Sequence, residues 1–124
     1  MYQLRGTRVL RLVWAGCALA IIIGSLLPGN SIPIQTLGRL HINDKVQHAL
    51  AYAVLALLPV LHEQRRNSVA LLLLIAVAMG ILLEFGQLYS PGRSFDTHDM
   101  LADVAGIIIG ATTGLLLRSL MVRS

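Results

Sequence analysis

Four long apolar stretches constrain the fold of this chain more than any other feature. They cover about residues 9–27, 46–61, 68–88 and 100–117 of 124 residues. A bilayer core of ~30 Å is crossed by roughly 20 apolar residues in a helix, and backbone in lipid must satisfy its hydrogen bonds within the segment. The sequence therefore predicts an all-α integral membrane bundle of four transmembrane helices, forming a single domain over residues 1–124.

The composition excludes several other classes of protein. Charged residues make up 13% of the chain, about half the share of a soluble domain. The net charge of +4 is dispersed along the sequence, so no basic patch points to nucleic acid. The single cysteine excludes an internal disulfide. We therefore expect the lipid bilayer as a partner, and neither nucleic acid nor a cofactor.

The distribution of basic residues predicts the orientation. The N-terminal arginines precede an apolar run as in a secretory signal, but no small-x-small cleavage site follows, so we expect an uncleaved first helix. Cytoplasmic segments carry an excess of Arg and Lys, and both termini are therefore predicted to be cytoplasmic, with the two long connections outside. One side carries seven basic residues: Arg5, Arg8, Arg11, Arg65, Arg66, Arg118 and Arg123. The other side carries three: Arg39, Lys45 and Arg93.

Small residues recur every fourth position in two of the apolar stretches. Gly106, Gly110 and Gly114 form overlapping GxxxG patterns, and Gly16-x3-Ala20-x3-Gly24 repeats the spacing in the first stretch. Such stripes let helices approach closely in lipid. Packing within the chain is one interpretation, and a homodimer through Gly106, Gly110 and Gly114 is the alternative.

Polar residues gather at one depth of three predicted helices, the end that faces outward. Helical spacing brings Asp44, His48 and Tyr52 to one face of the second, with Lys45 beside them. All of the polar positions fall within roughly 10 Å of the outer boundary at ~1.5 Å per residue, whereas the cytoplasmic halves carry almost none. Ionisable groups inside a span are costly and are functional candidates. We predict that the outer ends bring together Lys45, His48, Glu84, Gln87, Arg93 and Asp99, with Tyr52 and Asp103 close by.

Two interpretations of this cluster stay open. It is either a ligand-binding or catalytic site, or a network that fixes helix register, in which Lys45 pairs with Asp99 or Asp103 and His48 pairs with Glu84. The group Asp96, His98 and Asp99 has no spacing specific to a metal site, so we predict no metal there. His41, His62 and His98 are interpreted as boundary residues.

The order of these residues resembles a known family. The pattern is Asp44-Lys45-x2-His48-x3-Tyr52, followed by Glu84-x2-Gln87-x3-Pro91-x-Arg93-x2-Asp96-x2-Asp99-x3-Asp103-x2-Gly106-x3-Gly110. It resembles the VanZ-like family of small bacterial membrane proteins, although the family often has Asn where Asp103 lies here. The resemblance implies a four-span, multi-pass protein of the bacterial inner membrane with a polar motif at the membrane surface. The family takes its name from an accessory protein associated with resistance to glycopeptides such as teicoplanin, and no such role is carried over to this chain.

Two functional hypotheses follow. In the first, the cluster binds or acts on an anionic, lipid-linked molecule of the cell envelope. Lys45 and Arg93 would bind its phosphate or carboxylate, with Tyr52, Gln87 and Asp103 as further ligand-binding residues. His48, Glu84 and Asp99 are candidate catalytic groups that could move protons. Ser90 and Ser94 have no defined His–Asp partners, so whether the chain is an enzyme stays open.

In the second hypothesis, the chain is a non-enzymatic membrane interaction or scaffold protein, and the polar cluster is a structural staple between helices. Transport is the weaker third possibility, because the sequence shows no internal repeat and no polar path into its cytoplasmic half. A structure can distinguish the first two hypotheses. A ligand site needs an open pocket, whereas in a structural staple the polar side chains fill the space with their own ion pairs.

Overall fold

The computed structural model describes residues 2–40 and 42–123, with side chains from residue 6 onward. Its helices are α1 (Tyr2–Leu26), α2 (Ile32–Arg39), α3 (Asp44–His62), α4 (Arg66–Gly86) and α5 (Thr97–Arg123), with one 3₁₀ turn at Gln87–Tyr89. Four of them are long and apolar enough to cross a membrane. The all-α prediction is confirmed, and so is the expectation of four helices with the length and hydropathy of membrane spans. The side chain of Arg5 and all of His41 lie outside the described part.

The predicted spans coincide with the four long helices, although α1 and α4 end before the predicted boundaries at residues 27 and 88, and α1 and α5 extend beyond the apolar stretches over residues 2–8 and 118–123. The observed helices continue into the polar residues at their ends, because a polar side chain does not stop a helix that has a cap. Asn43 supplies such a cap for α3, where its Oδ1 accepts a hydrogen bond from the backbone N–H of Lys45 at 2.8 Å. Hydropathy alone therefore finds the apolar middle of each helix and misses its ends.

The short helix α2 was not predicted. It lies in the first long connection, where Pro33 occupies the first turn and loses no intrahelical hydrogen bond there. None of its residues is buried, so α2 lies on the outside of the bundle. Eight residues are too few for a periodic signal to stand out.

Glycine brings α3 and α5 together as the most closely packed pair of helices. A Cβ added at Gly106 or Gly110 would overlap the backbone carbonyl of Ala49 or Ala53, and one at Gly114 would lie 2.9 Å from the side chain of Val60. The glycine face of α5 therefore packs on α3 of the same chain. A homodimer through these glycines stays a prediction, and it would have to use a face that α3 already covers.

The glycines of α1 do not serve the same purpose, and the expectation that they bring helices of the same chain close together is wrong. A Cβ at Gly16 or Gly24 would meet no atom of the described residues within 4 Å. Instead α1 is joined to α3 through Trp14, whose indole Nε1 donates to the carbonyl of Leu55 at 2.8 Å. A large aromatic ring holds the helices apart, and space remains beside the small residues.

The four long helices alternate in direction, which gives the bundle two different ends. At the end we call the long-loop end, α1 and α4 finish, α3 and α5 begin, and both long connections lie. At the opposite terminal end lie the start of α1, the end of α5 and the short α3–α4 connection. Contacts between Lys45 and Asp96 at one end and between Arg11 and Glu63 at the other fix this arrangement.

Candidate functional site

Lys45 is the centre of an ion-pair group at the long-loop end. Its Nζ lies 2.7 Å from Oδ2 of Asp96 and also contacts Oδ1 of Asp99. Asp96 directly precedes α5, and its Oδ1 accepts the backbone N–H of His98 at 2.9 Å, as an N-cap does. The predicted pairing of Lys45 with Asp99 is thus observed. The lysine is already neutralised by two carboxylates, so the anion-binding role expected for it is not supported by its contacts.

The pKa of Asp96 reflects these contacts. The ammonium of Lys45 and the backbone N–H of His98 both stabilise the carboxylate, and they lower its pKa from 3.8 to about 2. His98 itself is exposed, with Nδ1 3.1 Å from the same carboxylate. It lies at the boundary, as the sequence indicated.

His48 pairs with Asp103, and the expected contact between His48 and Glu84 is not formed. The His48 Nδ1 lies 2.8 Å from Oδ1 of Asp103, a residue only 2% exposed. The other ring nitrogen, Nε2, lies 3.8 Å from Asp99 and 3.9 Å from Asp44. Asp103 follows Asp99 by one helical turn, so α5 offers carboxylates to both nitrogens of the same imidazole.

The carboxylate of Glu84 binds the backbone of the α4–α5 connection and forms no ion pair with the described residues. Its side chain is buried, and Oε1 accepts the backbone N–H of Asp96 at 2.6 Å. Within the described residues no cation lies at ion-pair distance from this carboxylate. A buried carboxylate needs a donor, and here a backbone amide provides it.

Arg93 extends away from the ion-pair group toward the end of α1. Its Nε donates to the carbonyl of Leu27 at 3.1 Å, and its Nη2 donates to that of Gly24 at 2.9 Å. The last carbonyls of a helix have no intrahelical partner. Arg93 satisfies two carbonyls at the end of α1 from a connection almost 70 residues later in the chain.

Gln87 and Ser90 complete this cap. Gln87 Nε2 donates to the carbonyl of Ser25 at 3.1 Å, and Ser90 Oγ donates to that of Leu26 at 2.9 Å. The predicted convergence of polar side chains is therefore observed in part. Lys45, His48 and Asp99 lie together with Asp103, and Glu84 joins them through Asp96, whereas Gln87 and Arg93 form a second group against α1.

A cavity connects the two polar groups. It has a volume of about 570 Å³ and lies between α1, α2 and α3, with the α4–α5 connection at one side. His48 and Asp44 border it from the ion-pair group, and Gln87 and Arg93 from the cap of α1. Most of the remaining wall is apolar: Ala20, Ile21, Gly24, Ile34, Leu37, Ile42, Leu50 and Ala51. Tyr52, predicted as a ligand-binding residue, is 2% exposed and also lines this cavity.

The terminal end carries a polar group that the sequence interpretation missed. Arg11 pairs with Glu63 through two contacts, Nε–Oε1 at 2.6 Å and Nη2–Oε2 at 2.8 Å, and the arginine lowers the pKa of Glu63. Arg118 donates to the carbonyls of Val60 and Glu63 at the end of α3. Glu63 is the one acid of the six that belongs to a segment at the terminal end, and this position among basic residues was the available signal.

His62 is also more than a boundary residue, because its side chain is only 2% exposed. Its two ring nitrogens have no hydrogen-bond partner among the described residues. The nearest charge is the carboxylate of Glu63, 3.5 Å from Nδ1. The terminal end is therefore less apolar inside than the sequence suggested.

Four membrane-length helices around buried charged groups define a multi-pass α-helical membrane protein. The VanZ/LLP1 family model matches residues 18–118, which include every residue of the ion-pair group, the cap of α1 and the cavity. The chain belongs to this family, as the resemblance implied. Comparison with curated proteins and with solved structures gives no match.

Proposed function

We propose that this chain is a bacterial inner-membrane protein that binds an anionic, lipid-linked molecule of the cell envelope at the outer membrane face. The observation that carries the proposal is the cavity at the long-loop end, which is apolar along most of its wall and polar at one side. A ligand for such a space has an apolar chain and one polar group. The cavity borders lipid-facing helices, so a lipid-linked molecule could reach it from the bilayer.

The polar side of the cavity favours an anionic group. A guanidinium has five N–H donors, and the carbonyls of Gly24 and Leu27 use two of those of Arg93. Those same bonds fix the orientation of the positive charge beside the cavity. Gln87 and His48 border the same space and add hydrogen-bonding capacity for a phosphate or carboxylate.

The arginine distribution supports the orientation of the proposal. Seven of the ten basic residues belong to segments at the terminal end, and three to segments at the long-loop end. A cytoplasmic terminal end follows from the preference of basic residues for that side. The cavity would then open toward the outer leaflet, where envelope precursors are exposed.

The second candidate is a non-enzymatic interaction or scaffold protein in which the polar cluster is only a staple. The specific observation in its favour is that Lys45 ties α3 to the start of α5, while Arg93 ties the α4–α5 connection to α1. If the polar cluster only holds the helices together, these contacts are sufficient and the cavity has no function. The two candidates therefore differ in the effect of filling the cavity while leaving every ion pair intact.

Gly24→Leu makes this test, and Gly16→Leu is its matched control. Both glycines lie in α1 and have open space at Cβ, but only Gly24 lines the cavity. We expect the wild-type protein in nanodiscs to bind a long-chain polyprenyl phosphate at least tenfold more tightly than the matching polyprenyl alcohol, since a charged hydrogen bond contributes about 1.5–3 kcal/mol. Native mass spectrometry measures both.

The Gly24→Leu protein should lose this binding, and the Gly16→Leu protein should keep it. Equal binding of phosphate and alcohol would contradict the anionic ligand. Undiminished binding by a folded Gly24→Leu protein would contradict the cavity as the site and favour the scaffold candidate.

A further inference from the structure

We infer that Asp44, His48 and Asp99 form a binding site for a divalent cation at the polar side of the cavity. The ligands are one imidazole nitrogen and two carboxylate oxygens, a set that suits Zn²⁺ or Mn²⁺. One atom from each residue lies within 4.8 Å of the other two. Nothing in the family assignment provides this site, and it does not depend on the proposed ligand.

The distances come close to those of a metal site. His48 Nε2 lies 3.9 Å from Asp44 Oδ1 and 3.8 Å from Asp99 Oδ2. Two ligands of a tetrahedral zinc ion, each at ~2.0–2.2 Å from the metal, are separated by roughly 3.5 Å. The two distances from His48 exceed this value by a few tenths of an ångström, and the two carboxylate oxygens lie within 4.8 Å of each other. Asp44 is 62% exposed at its side chain and has room to move.

The hydrogen bond of His48 prepares its second nitrogen for a metal. The carboxylate of Asp103 can only accept, so a neutral imidazole carries its proton on Nδ1 and keeps a lone pair on Nε2. That lone pair lies opposite two carboxylates, which are acceptors as well. Among the described residues no donor lies at hydrogen-bond distance from these three atoms, and a metal ion between them would take the place of a second proton on the imidazole. A buried carboxylate behind a histidine ligand is also the usual outer-shell partner in metal sites.

Lys45 leaves the ligand atoms free. Its Nζ contacts Oδ1 of Asp99 and Oδ2 of Asp96, whereas the proposed ligand atom of Asp99 is Oδ2. The same Nζ lies 3.9 Å from Oδ2 of Asp44, so the ammonium group faces one oxygen of each carboxylate and the proposed ligand atoms are the other two, Oδ1 of Asp44 and Oδ2 of Asp99. Asp99 is only 6% exposed, so its carboxylate has little room to turn away from these contacts.

A cation at this position would also explain how an acidic cluster could serve an anionic ligand. Asp44 and His48 line the cavity, so a bound ion would have a coordination position open toward it, as catalytic metal sites do. This step rests on the proposed function, because it assigns the open position to the phosphate or carboxylate of the ligand. The ion would neutralise Asp44 and Asp99 and add positive charge opposite Arg93.

Titration of the metal alone tests the site. The full chain is purified with a histidine-free tag, treated with a chelator, and titrated with Zn²⁺ and then Mn²⁺ in a calorimeter, with elemental analysis of the dialysed protein. We expect about one ion per chain. Asp44→Asn should weaken binding at least tenfold, and His48→Gln should abolish it.

The matched control is His98→Gln, which removes an exposed histidine of the same end that is not a ligand. It should bind the ion within twofold of wild type. Asp44 is exposed, so Asp44→Asn gives a folded protein even where His48→Gln does not. Binding of neither ion, or equal binding by the wild-type and Asp44→Asn proteins, would overturn the inference.

Gly24→Leu separates this inference from the proposed function. It fills the cavity but alters no ligand, so it should keep the metal while it loses polyprenyl phosphate. Metal binding without any phosphate binding would reject the proposed function and leave the cation site standing. Phosphate binding that a chelator does not weaken would reject the link between the ion and the ligand.

Discussion

Single residues at the long-loop end each hold two parts of the chain together. Asp96 is the clearest case, because it caps α5 through Oδ1 and binds Lys45 of α3 through Oδ2. Arg93 similarly spans from the α4–α5 connection to two carbonyls of α1. Substitution of either residue changes the relation between elements and not only a local charge.

The depressed pKa of Asp96 predicts how stability depends on pH. The pKa is about 2 in the folded protein and 3.8 without its partners, so the folded state favours the ionised form. The stabilisation by this carboxylate is complete above about pH 4 and is lost as the pH falls toward 2. In detergent, wild-type stability should therefore fall over this interval by more than that of Asp96→Asn.

The comparison is made by chemical unfolding of both proteins between pH 5 and pH 2.5. Asn keeps the cap of α5 but cannot form an ion pair with Lys45, so the difference between the curves isolates the charge. Parallel curves would contradict the contact between Asp96 and Lys45. Asp44→Asn serves as a control, because it removes an acid that lies 3.9 Å from the same Nζ and leaves the contact between Asp96 and Lys45 in place.

At the scale of the elements, the pair α3–α5 depends on backbone contact and α1 does not. A methyl group at Gly110 would overlap the backbone carbonyl of Ala53, which has no flexible side chain to move away. We expect Gly110→Ala to destabilise the protein by about 1–3 kcal/mol. Gly16→Ala, with open space at its Cβ, should be neutral or slightly stabilising because alanine favours helix.

Unfolding in mixed detergent micelles measures both variants. An equal response of the two proteins would show that α3 and α5 are not held at this distance. The same pair of variants also addresses association, since a dimer that used Gly110 would respond to protein concentration and a seam within one chain would not.

The elements show what a sequence can and cannot reveal about a membrane protein. The four spans were predictable because lipid demands long apolar helices, and the polar cluster because its members share one depth. The pairing was not predictable: His48 lies opposite Asp103 rather than Glu84 because of the rotation of α5 against α3. The role of Arg93 was hidden as well, since nothing in its own neighbourhood reveals that the end of α1 lies within reach. The charge of Arg11 indicates orientation, but it does not identify Glu63 as its partner.

At the scale of the whole molecule, the orientation in the membrane is the central prediction. In a protein whose Cys17 is replaced by Ser, cysteines introduced at Gln35 and Ser94 should react with an impermeant thiol reagent in intact cells. A cysteine at Asn67 should react only after the membrane is opened. The reason is the seven-to-three asymmetry of basic residues between the two ends.

All three positions are exposed, so differences in labelling report the side of the membrane and not burial. Labelling at Asn67 alone would reverse the orientation, and the cavity would then face the cytoplasm. The proposed ligand class would change with it, because external envelope precursors could not reach the site.

The cap at the end of α1 has a consequence for the order in which the protein is made. Ser25 and Gly24 receive their hydrogen bonds from residues 62 and 69 positions later. The first helix enters the membrane while those residues are still inside the ribosome or not yet synthesised. Its last carbonyls must therefore wait for the α4–α5 connection to emerge, and α1 can reach its final position only after the third span has been inserted. The segment that is inserted first is therefore among the last to reach its final packing in the bundle.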